Sequence, residues 1–206
     1  MTPAMKSAPA LLATAVALAA LTALTALTPL TPAHAQTRAD SHAAACKAAH
    51  DTRPDNRNYP RDTVPRYIKT PTGYLIVLRM GDNVFEQLES FAICENVPAA
   101  SLSAIGFANV TFGFWDAGKQ DFNPKTYRNV EMASIVGSLA WKNGKPSIHA
   151  HGVAGDSQFD TYGGHILSME VGTGSLEVTV TLIPEKLERA VDPRIGANVL
   201  QLSSSH

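Results

Sequence analysis

The 206-residue chain has only two cysteines, and charged residues make up just 17% of it, with a formal net charge of −1. Cys46 and Cys94 stand far apart and neither lies in a Cys-x-x-Cys pair, which excludes a cysteine-based metal motif or dithiol motif. The slightly acidic balance supplies no electrostatic footprint for nucleic acid. No Gly-x-Ser-x-Gly elbow, phosphate-cradling glycine loop or dinucleotide fingerprint occurs, so the common hydrolase and nucleotide-binding signatures are missing.

Charge is nearly missing from the N-terminus, where Lys6 is the only charged residue before Arg38. Lys6 precedes a run of Ala, Leu, Thr and Val that ends in Ala33-His34-Ala35, the pattern of a cleaved secretory leader. Pro29 and Pro32 break the run, which favours cleavage over a retained membrane anchor. The expected location is periplasmic or secreted. Removing Lys6 with the leader leaves 16 basic against 18 acidic residues, a charge near −2. In an oxidising compartment Cys46 and Cys94 either pair as one disulfide or remain two thiols.

The reading divides the chain into a leader (1–35), a polar linker (36–62), one compact domain (63–202) and a short tail (203–206). Within the linker, Ala43 to Ala49 has the composition of a short helix. In the domain, strands are expected around Arg66–Thr70 and Tyr74–Arg79, separated by the turn signal Pro71-Thr72-Gly73. Asp82 is the expected N-cap of one helix whose apolar face is Phe85, Leu88, Phe91 and Ala92. Everything after Pro98 reads as strand: 102–115, 130–141, 148–153, 162–171 and 176–182, with Asn143-Gly144 in a tight turn. Six or seven mostly antiparallel strands with one main helix make an α+β domain.

Three of the seven histidines, His149, His151 and His165, fall within seventeen residues. On strands, His149 and His151 share a face because side chains alternate with period two. A hairpin centred near Ser157 sets His165 opposite His149, and one centred a residue later sets it opposite His151. In either register three imidazoles converge, as a zinc-type site with an open position requires. Against this stands ordinary half-buried packing, and a bulge at Gly163-Gly164 sends His165 to the other face.

The order of these segments resembles the PPC (plant and prokaryote conserved) domain, a domain-of-unknown-function family, over roughly Arg66 to Leu202. The resemblance rests on Leu78-Arg79-Met80-Gly81-Asp82-Asn83-Val84 before the helix and on Ala104-Ile105-Gly106. It continues through Glu131 to Ser138 and, most specifically, His149-Ala150-His151 with Gly163-Gly164-His165-Ile166. It implies a trimer-forming antiparallel sheet, a homotrimer, and zinc or a similar divalent transition metal held by His149, His151 and His165. Plant members pair this domain with DNA-binding AT-hooks, but this chain has no Arg-Gly-Arg-Pro core and carries a leader.

Among carboxylates, Glu131 is the leading candidate for a fourth ligand, an imidazole partner or a general base, with Asp116 behind it. The alternative for each is a solvent-facing strand acid. Asp156 and Asp160 read as loop chemistry, and Trp115 and Trp141 as packing or pocket walls. Three functions compete. The first is an exported metal-binding homotrimeric module that takes a small molecule or anion. The second is a metal-dependent hydrolase or lyase using metal-bound water. The third, DNA binding, has only the family label behind it.

Overall fold

The computed structural model describes residues 32–50 and 65–202. Its elements run α1 (Pro32–His50), β1 (Tyr67–Thr70), β2 (Gly73–Arg79), α2 (Val84–Cys94), β3 (Ala99–Asp116), β4 (Asp121–Lys142), β5 (Lys145–Gly155), β6 (Thr161–Ile183), β7 (Glu188–Val191) and β8 (Asn198–Gln201). The fold is α+β, with one mostly antiparallel sheet of eight strands and two helices. The expected leader lies outside the described residues up to position 31, and so do the expected linker after His50 and the expected tail, 203–206.

The sheet order is β1-β2-β6-β3-β4-β7-β8, and β5 pairs with both β4 and β6. β3, β4, β5 and β6 therefore form a closed ring of pairings, which leaves no free edge at that end of the sheet. One face of the sheet carries α2. Val84, Leu88, Phe91 and Ala92 are buried there with sheet residues such as Leu78, Leu102, Leu139, Leu176 and Val178. Apolar burial of this kind, about 25 cal/mol per Å², supplies the main driving force for the fold.

Several boundaries differ from the expectations. The N-cap of α2 is Asn83, whose side-chain oxygen accepts from the Glu86 amide. Asp82 is buried instead in an ion pair with Arg66, and it also accepts the Arg79 amide at 2.8 Å. A carboxylate held by a guanidinium is not free to cap. The two expected strands between 162 and 182 are one 23-residue strand, interrupted where its pairing with β3 jumps from Val171 to Leu176. Asn129 stabilises that irregularity by accepting the Thr173 amide at 2.9 Å. The hairpin β7–β8 carried no clear strand pattern in the sequence.

The short helix expected over Ala43 to Ala49 is present within α1, beside the main helix α2. α1 starts earlier than the Ala43–Ala49 segment and packs its buried Ala45 and Ala49 against the domain. A polar helix of this composition is marginal in isolation. Here it is tied to α2 by the Cys46–Cys94 disulfide, with a Cα–Cα distance of 4.6 Å. At its C-terminal end His50 Nε2 meets the Tyr67 hydroxyl at 3.0 Å. Tyr67 in turn donates to Glu95 at 2.6 Å, and Tyr74 donates to the same carboxylate at 2.8 Å. Replacing both cysteines with serine should lower stability by about 4 kcal/mol, the loop-closure entropy for a sequence separation of 48. It should also raise amide exchange throughout α1 while leaving the sheet protected. Unchanged exchange in α1 would show that the helix docks without the cross-link.

Candidate metal centre

β5 and β6 pair antiparallel with His151 directly opposite His165 and Gly152 opposite Gly164. This is the second of the two registers open to the sequence. No register shift occurs within this pairing, so Gly163-Gly164 does not bulge. The nearby irregularity falls one step later, between Thr111 and Phe112 of β3, after His165 has been placed opposite Gly113. Ala150, Ala154 and Ile166 point into the core, so His149, His151 and His165 face away from α2. Glycines make the close approach possible. A Cβ on Gly163 would lie 2.7 Å from the Gly152 carbonyl oxygen, and one on Gly137 would lie 2.6 Å from that of His149.

The three imidazoles form a nearly equilateral triangle, with ring centroids 5.2, 5.0 and 5.2 Å apart. One nitrogen from each lies within 4.8 Å of the others, so the cluster has the geometry to hold a metal ion. Burial, then the charges of His149 and His151, pushes His165 down to about 4. His149 is lowered first by burial, then by the Arg189 charge and by His151. Neutral imidazoles are the ligand form, so these two need lose no proton at neutral pH. The Phe122 ring stacks on His165 at 4.5 Å and 18°, and Trp115 meets Phe122 edge-on at 5.1 Å.

The histidines line a cleft of about 950 Å³. Its walls are the tip of the β3–β4 hairpin on one side and β7–β8 on the other. The tip supplies Trp115, Asp121 and Phe122, and the facing hairpin supplies Val191 and Val199. Glu131 is not in this cleft. It pairs with Gly155, whereas His151 pairs with Val136, which puts Glu131 about 16 Å further along the strand. Asp116 caps the turn after β3, accepting from the Gly118 amide at 3.0 Å and the Asn123 side chain at 3.3 Å. Asp156 similarly accepts from the Tyr162 hydroxyl at 2.8 Å and from its own loop amides. The Trp141 indole donates to the Val97 carbonyl at 3.0 Å. A second cluster, His50, Cys94 and Glu95, has its sulfur committed to the disulfide.

Sequence reasoning missed Phe122, Lys142 and Arg189. Lys142 lines the cleft, and the buried Arg189 donates from Nη2 to Ser138 Oγ at 2.6 Å, across from His149. An aromatic beside an Asn-Pro dipeptide and an arginine in a charged C-terminal segment carry no signal of a histidine neighbour.

The Plants and Prokaryotes Conserved (PCC) domain matches residues 66–184, and the fold described above spans those residues. The chain belongs to the PCC domain family. Among solved structures it is similar to a protein from Ralstonia eutropha, provisionally described as DNA-binding, at 60% identity. That match covers 66% of this chain and 96% of the other, with a TM-score of 0.65. It is also similar to a metal-containing protein from Archaeoglobus fulgidus at 32% identity, covering 62% and 91% of the two chains with a TM-score of 0.57. A plant- and prokaryote-conserved protein from Pyrococcus horikoshii matches at 25% identity over 63% and 92%, with a TM-score of 0.56. No curated protein matches. The PCC match ends at 184, so α1 and the β7–β8 hairpin lie outside it.

The depressed His165 fixes a pH dependence. Above about 6.5, the unfolded value, His165 is neutral in both states. As pH falls from there towards about 4, the unfolded chain takes up a proton that the folded chain refuses, so stability is lost across that window. Urea midpoints of metal-free protein should fall between pH 7 and pH 4.5, and His165→Gln should flatten that decline. Parallel curves for the two proteins would refute the assignment.

Proposed function

We propose that this PCC protein is an exported metal-binding module in which His149, His151 and His165 hold a zinc-type divalent ion, assembled as a homotrimer. The observation that carries this reading is the histidine triangle. Imidazoles whose nitrogens lie about 2.0–2.1 Å from a tetrahedral ion place their ring centroids about 5.2 Å apart, against about 4.5 Å for octahedral right angles. The centroid spacings of 5.0–5.2 Å fit the tetrahedral case. The Archaeoglobus relative, a metal-containing protein, supports the same reading. Bound there, the ion supplies a Lewis acid at the floor of the cleft, with a position open to a small anion or other small-molecule ligand.

The homotrimer reading draws support from the outer face of the sheet, where Ile105, Val136 and Val153 are exposed at 56%, 58% and 46%. Export rests on the leader pattern of the first 35 residues. Among the described residues no helix is long and apolar enough to cross a membrane. The cleft opening onto the histidines favours a metal-dependent hydrolase or lyase as the second reading. Weighing against it, the histidine cluster contains no carboxylate among the described residues, and Glu131 stands well away from it. DNA binding is supported by relatives' names alone and opposed by the charge balance.

Elemental analysis of untagged exported protein, paired with light scattering, tests the reading. The expected result is near one zinc or similar ion per chain, in a particle of three chains. The double variant His149→Ala/His151→Ala should lose the metal and remain a folded trimer. Metal retained by that variant would remove these histidines as ligands.

A further inference from the structure

The β7–β8 hairpin lies beyond residues 66–184 and forms one wall of the histidine cleft. The hairpin is anchored to the end of β4, where the Trp141 amide donates to the Leu187 carbonyl at 2.8 Å and Glu188 pairs with Trp141. At its other end Gly196 sits against Gln120 of the facing hairpin. A Cβ there would lie 3.1 Å from Gln120 Nε2, so the two walls touch. Between them is a slot with the histidines and Gly163-Gly164 along its floor, the Phe122 ring on one side, and Val191 and Val199 on the other.

Next to this slot lies a cation with no counter-charge. Arg189 is only 5% exposed, its Nε has no hydrogen-bond partner, and its one recorded side-chain bond is to neutral Ser138. No carboxylate pairs with it among the described residues. A buried cation without a counter-charge is costly, and an anion held nearby offsets that cost. In the lining itself one cation, Lys142, is matched by one carboxylate, Asp121, which also accepts the Phe122 amide at 2.7 Å. The unmatched charge is therefore that of Arg189, beside Ser138 and across from His149. Three neutral imidazoles would also leave the charge of a divalent ion uncompensated.

We propose that the β7–β8 hairpin makes the three-histidine site a slot for a small carboxylate with a flat, apolar body. The anionic end lies at the histidines, and the body lies between Phe122 and the Val191–Val199 wall. The proposal rests on the metal reading for its anionic end, but the slot itself is built from the chain's own residues. Arg189 acts here as a positioning residue: it holds the hairpin against Ser138 and biases the field towards anions.

The test is calorimetric titration of the zinc-loaded full chain with benzoate and, separately, with acetate. Benzoate should bind roughly tenfold more tightly or better, because only it has a ring to bury. Val191 is 53% exposed, so Val191→Asp should fold normally and keep its zinc. That variant should lose at least about tenfold in benzoate affinity and distinctly less in acetate affinity, because the added charge repels both anions while only benzoate loses apolar contact. Val191→Leu should keep the preference for benzoate. Equal affinity for the two carboxylates, or a benzoate affinity indifferent to Val191→Asp at full zinc content, would overturn the proposal. A chain that takes up no zinc defeats the metal reading by itself. Benzoate titrated into that chain still reads the slot: a preference abolished by Val191→Asp supports it, and no preference rejects it.

Discussion

The backbone pairing of β5 with β6 is the constraint on which the rest of the site depends. It sets His151 opposite His165 and closes the β3–β4–β5–β6 ring at one end of the sheet. The hydrogen bonds of the ladder cannot slip by one residue without turning Ala150, Ala154 and Ile166 out of the core. Core packing on one face thus dictates the imidazole geometry on the other. The glycines at 137, 152 and 163 serve this closure, since side chains there would press on neighbouring backbone or on Met132 and Ile166.

Around that frame the electrostatics are arranged in one direction. Burial keeps His149 and His165 in the form that donates a lone pair, and Arg189 pushes His149 the same way. The carboxylates that the sequence offered to the site are used elsewhere. Asp116 and Asp156 hold turns, and Glu131 lies far along the strand. A cleft floor with neutral nitrogens and no acid is suited to holding a cation and presenting it to an anion. It is less well suited to moving protons, which is why binding stands ahead of hydrolysis.

Two pieces lie outside residues 66–184. α1 depends on a covalent tie to α2 because its own burial is confined to small alanines. The β7–β8 hairpin is held by one parallel contact, the backbone bond from Trp141 to Leu187 and a buried arginine, yet it walls the cleft.

Much of the domain was legible in the chain because it follows from local rules. Alternation marked the strands, three- and four-residue spacing marked α2, and period-two geometry put His149 and His151 on one face. Asn83 displaced Asp82 as the cap because Arg66, sixteen positions upstream, claims the aspartate, and no local pattern reports that. The β5–β6 register was narrowed to two choices that turn the same side chains inward, and only the long-range pairing of the folded sheet, with His151 opposite His165, decides between them. The stacking of Phe122 on His165, the placement of Arg189 by His149 and the removal of Glu131 from the site all join residues distant in sequence. The sequence by itself determined which side chains could form a three-nitrogen site, because alternation along a strand is local. Only the tertiary structure decided what surrounds that site, because ring closure and hairpin docking are long-range contacts set by burial.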